Sequence, residues 1–301
     1  MNKKLFLIIG CLFYSLGSFA QVDTVIVPTD TTYWRRSLST GANLNQAAFS
    51  DNWKAGGTNS IAFGLFLNAK ANYKKNKDSW DNEMQLKYGI VKNAGEDLRK
   101  SVDGIFLDSK YGYAISGHWN LFVSGNFISQ FAPGYNYDVD DDGTDLLISN
   151  FMSPGFLTFG LGFEYKPVEW FSLRLSPISP RFTFLADEEV GENERYGVPV
   201  GESSRTEWLA ALVQADLEKD IAKNLNLKVS YQGFANYDNL SFNAIDHRLL
   251  TILSAKVNKF LSVNVTGNLL YDRDQDDDIQ FSQGLALGIF YNVQNFVDEK
   301  K

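Results

Sequence analysis

The sequence predicts an all-β fold, a transmembrane antiparallel up-and-down β-barrel of about twelve strands. Three observations support this prediction: apolar and polar residues alternate along most of the chain, an export signal precedes them, and short and long connections alternate. Strict alternation places one set of side chains on each face of a strand. In a barrel that spans a membrane, the apolar set contacts lipid and the polar set faces the lumen.

The composition is typical of membrane strands rather than membrane helices. The 301 residues include 23 Phe, 14 Tyr and 6 Trp, while the mean hydropathy is only -0.21. Only alternate residues of a membrane strand touch lipid, and aromatic girdles lie at both interfaces, so aromatic content rises without bulk hydropathy. After the N-terminal segment, no stretch has the roughly 18 apolar residues of a membrane helix.

The N-terminus has the order of a secretory signal peptide. Lys3 and Lys4 precede an apolar run, and Ser18-Phe19-Ala20 forms a small-x-small cleavage site. A lipoprotein-type site at Cys11 is an alternative, but the apolar run before it would be very short. We therefore expect export to the bacterial outer membrane. The predicted parts are the signal peptide at 1–20, a periplasmic N-terminal segment at 21–36 and the outer-membrane barrel at 37–301.

Twelve segments carry the alternating pattern, and an even number of strands is what bacterial barrels require. The segments are 38–47, 61–73, 83–90, 105–115, 121–131, 157–165, 171–184, 209–218, 225–237, 246–257, 261–271 and 284–294.

Two of these segments need an argument beyond alternation. In the seventh, Pro177 and Pro180 interrupt the pattern, and proline cannot donate a hydrogen bond to a neighbouring strand, so we predict a bulge or bend. The eighth segment also fits a helical period. Its position between clear strands favours a strand.

The connections alternate in length along the chain. Long outer loops and short periplasmic turns are what a barrel with both chain ends in the periplasm predicts. The predicted long loops are 49–60, 133–150, 186–206, 237–243 and 272–280, and the predicted turns are 74–79, 116–118, 166–169, 222–224 and 258–260.

Charge and cysteine content exclude several classes of partner and site. The net charge is -8, and it falls to -10 once Lys3 and Lys4 leave with the signal peptide. Such a surface argues against nucleic acid. Cys11 is the single cysteine, so the exported chain has no disulfides and no thiolate metal sites. The expected partners are outer-membrane lipid, lipopolysaccharide and other outer-membrane proteins.

Four motifs carry a resemblance to a known family. They are Asn52-Trp53-x-Ala55-Gly56-Gly57-x-Asn59-Ser60, Trp80-Asp81-Asn82, Ser109-Lys110-Tyr111-Gly112-Tyr113 and Gln130-Phe131-Ala132-Pro133-Gly134-Tyr135. Together they resemble an uncharacterised family of Bacteroidota outer-membrane barrels, a domain of unknown function, over nearly the whole exported chain. The resemblance implies a barrel in the outer membrane and brings no catalytic residues.

An acidic stretch matches the first half of a calcium-binding loop. Asp138, Asp140, Asp142 and Asp145 surround Gly143, and hard cations prefer several carboxylate oxygens held by a sharp turn. The acid expected at the twelfth position is replaced by Ser149. A solvated acidic loop is the alternative, and apart from this Ca²⁺ we expect no cofactor. A second acidic stretch at 272–278 lacks the glycine.

The inward positions of the predicted strands carry charges of both signs. We interpret these residues either as a lumen cross-linked by ion pairs or as the lining of a narrow polar channel. A twelve-stranded barrel leaves more room than an eight-stranded one and less than a porin. The candidate lumen-lining residues are Lys70, Lys87, Lys110, Glu164, Arg174, Asp216, Lys228 and Arg248.

Three functions remain open. The first is a non-enzymatic narrow channel for small solutes, and the second is a structural or accessory subunit of a larger outer-membrane complex. The third is a lipid-modifying hydrolase, which would pair His247 with Ser241 or Ser254, although no nucleophile motif accompanies this histidine. The loop with Trp53, Gly56 and Gly57 is interpreted as a tight turn with an interfacial Trp, or as a docking or lumen-folding loop.

Overall fold

The computed structural model describes residues 33–50, 58–137, 145–193, 196–241, 244–258 and 261–296. The predicted signal peptide and most of the predicted N-terminal segment lie outside this part of the chain. The first strand begins at Trp34, so the barrel starts slightly before the predicted boundary. The strands are β1 Trp34–Ala47, β2 Ser60–Lys75, β3 Asp78–Asn93, β4 Leu98–Ala114, β5 Trp119–Ser129, β6 Gly134–Asn136, β7 Leu146–Ser149, β8 Gly155–Val168, β9 Phe171–Ile178, β10 Arg181–Phe184, β11 Ser204–Glu207, β12 Ala210–Ala222, β13 Leu225–Asn236, β14 Asp246–Lys256, β15 Leu261–Asp272 and β16 Asp276–Gln294, and the helix is α1 Glu188–Asn193.

Twelve of these strands form a closed antiparallel barrel, which confirms the predicted fold class. The order around the ring is β1-β2-β3-β4-β5-β8-β9-β12-β13-β14-β15-β16, and β16 returns to β1. Every strand pairs with its neighbours in the chain once the small hairpins β6–β7 and β10–β11 are set aside. Closure pairs the backbone groups of each strand on both sides, which an open sheet in lipid cannot do.

The seventh predicted strand is split where its prolines lie. β9 pairs with the second half of β8, from Leu161 to Val168. β10 pairs with the first half of β8, in the register Arg181↔Thr158. Between them, the Phe159 N–H donates to the Pro180 carbonyl at 3.0 Å. The predicted bend is therefore confirmed. The eighth predicted segment is the strand β12, so its helical alternative is wrong.

Short turns gather at one end of the barrel, which we name the turn end, and the other end is the loop end. The turn-end connections are 76–77, 115–118, 169–170 and 223–224, and between β14 and β15 the described residues are 257–258. At the loop end, the predicted long loop at 272–280 is wrong, because β16 begins at Asp276 and pairs with Asp272 across a tight turn. The connection at 94–97 is short as well. Acidic residues are tolerated in strands that extend beyond the apolar band, so their presence did not mark a loop.

An apolar band bounded by aromatic rings surrounds the barrel. At the turn end, the ring of Trp34 lies 5.3 Å from Tyr73 and 5.9 Å from Trp80. At the loop end, Phe182 lies 6.1 Å from Phe159 and 5.5 Å from Trp208. Aromatic girdles of this kind frame the lipid-contacting band of membrane barrels. Within the described residues, no helix combines the length and the apolar character needed to cross a membrane.

The loop end carries a small folded cap, formed by 146–153 and 185–199 without 194–195, which we call the outer cap. Leu147, Leu185, Val190 and Val198 bury their side chains against one another. The Asn193 side chain of α1 donates to the Leu147 carbonyl at 2.8 Å, and the Tyr196 hydroxyl donates to the Ile148 carbonyl at 2.7 Å, so both join this segment to β7. The predicted loops at 133–150 and 186–206 are therefore partly ordered into β6, β7, α1 and β11.

Candidate functional site

The lumen is the candidate functional site, because it gathers charged side chains that a lipid-facing wall would exclude. The structure places all eight predicted lumen residues on the inner face of the wall, at positions that alternate with outward apolar residues. Six of them make ion pairs or hydrogen bonds with other inner-face residues. The six are Lys70, Lys110, Glu164, Arg174, Asp216 and Lys228.

Two ion pairs cross the lumen from wall to wall. Lys70 on β2 lies 3.4 Å from Glu218 on β12, and Lys228 on β13 lies 3.3 Å from Glu83 on β3. In the ring of twelve, the strands of each pair stand directly opposite each other. The lumen is therefore narrow enough at this level for two side chains to span it.

A second set of pairs lies beside the first and is buried. Lys110 and Glu164 are each only 3% exposed and form an ion pair, and Asp81 lies 3.2 Å from Lys110. The Arg174 guanidinium bridges Asp108 at 3.4 Å and Glu164 at 3.7 Å. Buried charges require such partners, because desolvation of an unpaired charge is expensive. We name these pairs and the two wall-crossing pairs together the lumen floor.

The lumen floor lies in the turn-end half of the barrel. Glu218 stands near the turn-end terminus of β12, and Lys228 stands near the start of β13 just after the 223–224 turn. Asp216 supports this level by accepting hydrogen bonds from Ser230 at 2.6 Å and Gln214 at 2.8 Å. A solute moving along the barrel axis would meet the floor as its constriction.

The loop-end half of the lumen has its own charged cluster on one side. Arg181 lies 2.5 Å from Asp246, and its guanidinium stacks 3.3 Å from the ring centroid of Phe234. A cavity of about 50 Å³ lies here, with Arg248 and Asp272 among its lining residues. In the part of the chain that the structure describes, neither Arg248 nor Lys87 lies within ion-pair distance of a carboxylate.

Next to this cluster, β15 and β16 line the lumen with small uncharged side chains on the turn-end side of Asp272. A Cβ added at Gly284 would meet no atom within 4 Å, so open space lies in front of β16. Above the floor, small uncharged groups of β15 and β16 therefore lie beside a charged cluster that includes Arg181, Asp246 and the buried Asp272 of β15. The inner-face residues of this uncharged side are Asn264, Thr266, Asn268, Ser282, Gly284 and Ala286.

The residues predicted to bind calcium are only partly described. Asp138, Asp140 and Asp142 lie outside the described residues, and Asp145 is exposed just before β7. Across the described chain, no cluster of three His, Cys, Asp or Glu residues could hold a metal ion. The calcium site at this loop stays a prediction. The loop motif of Trp53, Gly56 and Gly57 also lies outside the described residues.

The structure separates the residues of the predicted hydrolase. His247 faces outward, where its Nδ1 lies 2.8 Å from the Tyr231 hydroxyl, and Ser254 faces the lumen from the same strand. The Ser241 hydroxyl donates to Asn239 in an exposed loop. Neither serine is placed as a nucleophile beside this imidazole, so the geometry that acyl transfer needs is not built from these residues.

The family motifs stabilise the wall on both of its faces. On the outer face, the Trp80 Nε1–H donates to Ser109 at 2.9 Å, and Ser109 donates to Asn82 at 2.7 Å. On the inner face, Asp81 pairs with Lys110. These contacts explain why the two motifs occur together, since they are register partners on β3 and β4.

The last motif fixes the exit of the chain from β5. The Asp103 carboxylate accepts the backbone N–H groups of Phe131 and Ala132, both at 2.9 Å. Lys100 binds Asp103 at 3.1 Å and the Ala132 carbonyl at 2.7 Å. The motif thus ties the base of the β6–β7 hairpin to β4.

The sequence analysis missed two inner-face contributors, Phe122 and Arg181. Phe122 is 2% exposed inside the wall, although its outward neighbours Leu121 and Val123 gave a signal in the alternation. Arg181 was assigned to a bend, and its contact with Phe234 depends on strands that are distant in the chain. Alternation assigns a face to a residue, but it does not identify the partner across the lumen.

Comparison with known proteins leaves the activity of this chain open. Residues 44–135 match the model of a family described as Protein of unknown function (DUF3078), and all four motifs fall within this range. The match is narrower than the resemblance suggested from the sequence. No curated protein matches the chain.

Several solved bacterial outer-membrane barrels are similar to this chain. An outer membrane channel from Pseudomonas putida F1 has a TM-score of 0.40 and 10% identity, over 91% of this chain and 100% of that one. The NanC porin has a TM-score of 0.38 and 7% identity, over 84% and 97%. The translocator domain of the autotransporter NalP from Neisseria meningitidis has a TM-score of 0.38 and 9% identity, over 88% and 90%. These similarities are too distant to indicate what the chain does.

Proposed function

We propose that this protein is a non-enzymatic, narrow channel for small polar solutes in the bacterial outer membrane, with the lumen floor as its constriction. The observation that carries the proposal is the pair of ion bridges that join opposite walls, Lys70–Glu218 and Lys228–Glu83. A closed scaffold could fill its lumen with apolar side chains at lower cost, because buried ion pairs contribute little net stability. Charged side chains that pair inside a lumen can instead give up part of that pairing and form hydrogen bonds with a polar solute.

The floor determines which solutes could pass. Cationic and anionic groups alternate around it, so it presents hydrogen-bond donors and acceptors of both signs at short range. A small polar solute can replace part of an ion pair, whereas a large or apolar solute cannot. Size and hydrogen bonding therefore select the solute, as they do in other narrow pores.

Single-channel recording in planar bilayers tests this function. The wild-type barrel should show small, discrete conductance steps. The double variant Lys70→Ala/Glu218→Ala removes one bridge without leaving an unpaired charge, and it should raise the conductance several-fold. Lys92→Ala is the matched control, because this lysine lies at the loop end with its side chain 48% exposed, and its conductance should equal that of the wild type.

A barrel that stays silent in both wild-type and bridge-deleted forms would overturn the channel. Co-purification of other outer-membrane proteins with that silent barrel in mild detergent would then favour the accessory-subunit alternative. Outer-membrane lipid and lipopolysaccharide are the partners that the apolar band would contact in either case.

A further inference from the structure

The seam between β1 and β16 closes the barrel along only part of its height. Residues from Ser37 to Asn43 pair with residues from Gln294 to Gly288 in continuous register. Toward the loop end, and among the residues that the structure describes, 44–47 pair only with β2 and 276–287 pair only with β15. The two strands that close the ring therefore separate above Asn43.

The loop end of β1 stays paired with β2 beyond the point where its pairing with β16 ends. Pairing with β2 continues to Ala47↔Ser60. Beyond it, the Phe49 N–H donates to the Asn59 side chain at 2.6 Å, which ties the chain after β1 to the start of β2. The separation is thus built by contacts on one side of the seam.

The open edge of β16 lies at the depth of the apolar band. Its outward side chains are apolar and strongly exposed, with Phe281 at 62%, Leu285 at 67% and Leu287 at 50%. On the facing strand, Leu44 is 57% exposed. Unpaired backbone groups do not persist against lipid, and they are tolerated only where they line a water-filled cavity or are buried in protein.

The inner side of the same edge faces the open part of the lumen. Gly284 and Ala286 present minimal side chains there, and a Cβ at Gly284 would meet nothing within 4 Å. Behind them, Thr266 and Asn268 offer hydroxyl and amide groups without charge. The gap therefore has an apolar outer rim, a small inner rim and uncharged polar groups behind it, with the buried Asp272 carboxylate farther toward the loop end.

We propose that the β1–β16 seam is a lateral port through which the acyl chain of a lipid-like amphiphile enters the loop-end lumen from the bilayer. The Leu44, Leu285 and Leu287 rim contacts the chain, and the uncharged polar groups behind the inner rim accept the polar part of the amphiphile. Water in the lumen satisfies the seam-facing backbone groups of 281–287. The charged lumen floor excludes the apolar chain from the turn-end half, so this route is separate from the axial one.

Lipid access to the inner rim tests the port. In a Cys11→Ala background, Gly284→Cys carries an environment-sensitive fluorophore, and the full barrel is placed in phosphatidylcholine vesicles with brominated acyl chains. Leu285→Cys is the lipid-facing reference, and Asn126→Cys is the lumen reference in the closed wall between β4 and β8. Quenching at position 284 should be at least half of that at 285 and several-fold above that at 126. Quenching no greater than at 126 would overturn the port.

Disulfide trapping tests the seam without reference to lipid. If the pairing continued past Asn43↔Gly288, Asn45 would face Ala286 on the inner side. Asn45→Cys/Ala286→Cys should therefore oxidise at least ten-fold more slowly than Ser39→Cys/Asn292→Cys, which pairs in the structure. Equal oxidation rates would show a closed seam and contradict the proposal. Both readouts are independent of conductance, so failure of the port leaves the axial channel standing, and failure of the channel leaves the port standing.

Discussion

The Lys110 ammonium shows how a single residue of this wall is constrained. It is 3% exposed, between Glu164 and Asp81, inside a barrel whose outer surface is apolar. Removing one member of such a buried pair typically costs about 3–5 kcal/mol, because the remaining charge loses its partner. Loss of the Lys110 side chain should therefore destabilise the barrel by that amount. The exposed Lys92–Asp97 pair, in contrast, contributes only about 0–1 kcal/mol to the free energy of unfolding.

Glycine positions in the wall differ sharply in what they tolerate. A Cβ at Gly162 would overlap the Leu175 carbonyl oxygen of β9, and one at Gly284 would meet nothing within 4 Å. Gly162→Ala should lower the free energy of unfolding by about 1–3 kcal/mol or more, since backbone must move. Gly284→Ala should leave it unchanged. Thermal unfolding followed by the gel-mobility shift of the folded barrel measures both, and equal melting temperatures would contradict the steric argument.

At the scale of elements, the outer cap shows how loops acquire order. The Asp187 carboxylate accepts the Asn150 side-chain N–H at 2.7 Å and the backbone N–H of Glu189 at 3.0 Å, at the start of α1. Side-chain oxygens at a helix N-terminus satisfy N–H groups that have no partner in the helix. A helix as short as α1 is stable only because Val190 is also buried in the cap.

The cap should respond to acid through Asp187. The hydrogen bond from Asn150, with those from the Val190 and Glu189 N–H groups, lowers the pKa of this carboxyl below its usual range. A lowered folded-state pKa contributes stability that is fully present above the unfolded pKa of about 3.9 and is lost as pH falls through the folded pKa. Hydrogen exchange at Glu189 and Val190 should therefore show protection that decreases below about pH 4.

Asp187→Asn provides the control for that titration. This variant should show weaker protection at neutral pH and no titration step assignable to position 187. An unchanged acid profile in Asp187→Asn would assign the pH dependence to another group of the cap.

At the scale of the whole molecule, topology decides which ends share a compartment. Both ends of the described chain lie at the turn end, where the Asn295 side chain donates to the Trp34 carbonyl at 3.0 Å. The outer cap lies at the opposite end. If the turn end faces the periplasm, the cap faces the cell exterior.

Cysteine labelling in intact cells tests this orientation. Val200→Cys lies just after the outer cap, at the loop end, where the side chain is 92% exposed, and it should react with a membrane-impermeant maleimide. Lys223→Cys lies in an exposed turn at the other end and should react only after the outer membrane is permeabilised. Labelling of position 223 alone in intact cells would reverse the orientation, and labelling of neither would place the barrel elsewhere.

Particular segments show how far the sequence predicts this structure. Alternation alone assigned the inner or outer face of β2, β4 and β15, because the two faces of a membrane strand contact opposite solvents. Loop lengths were predicted less well. The acidic stretch at 272–278 looked like a loop, but most of it is strand, since charge is compatible with a strand that rises above the lipid.

The sequence by itself determined the class of fold and the approximate strand number, because side chains that alternate every two residues along many segments fit few folds other than a barrel in lipid. The tertiary structure decided the rest. Which charges meet across the lumen, as Lys228 and Glu83 do, depends on the ring order that brings strands far apart in the chain to opposite walls. Where the β1–β16 pairing ends likewise depends on contacts between the first and last strands of the barrel, and no local pattern in the sequence encodes it.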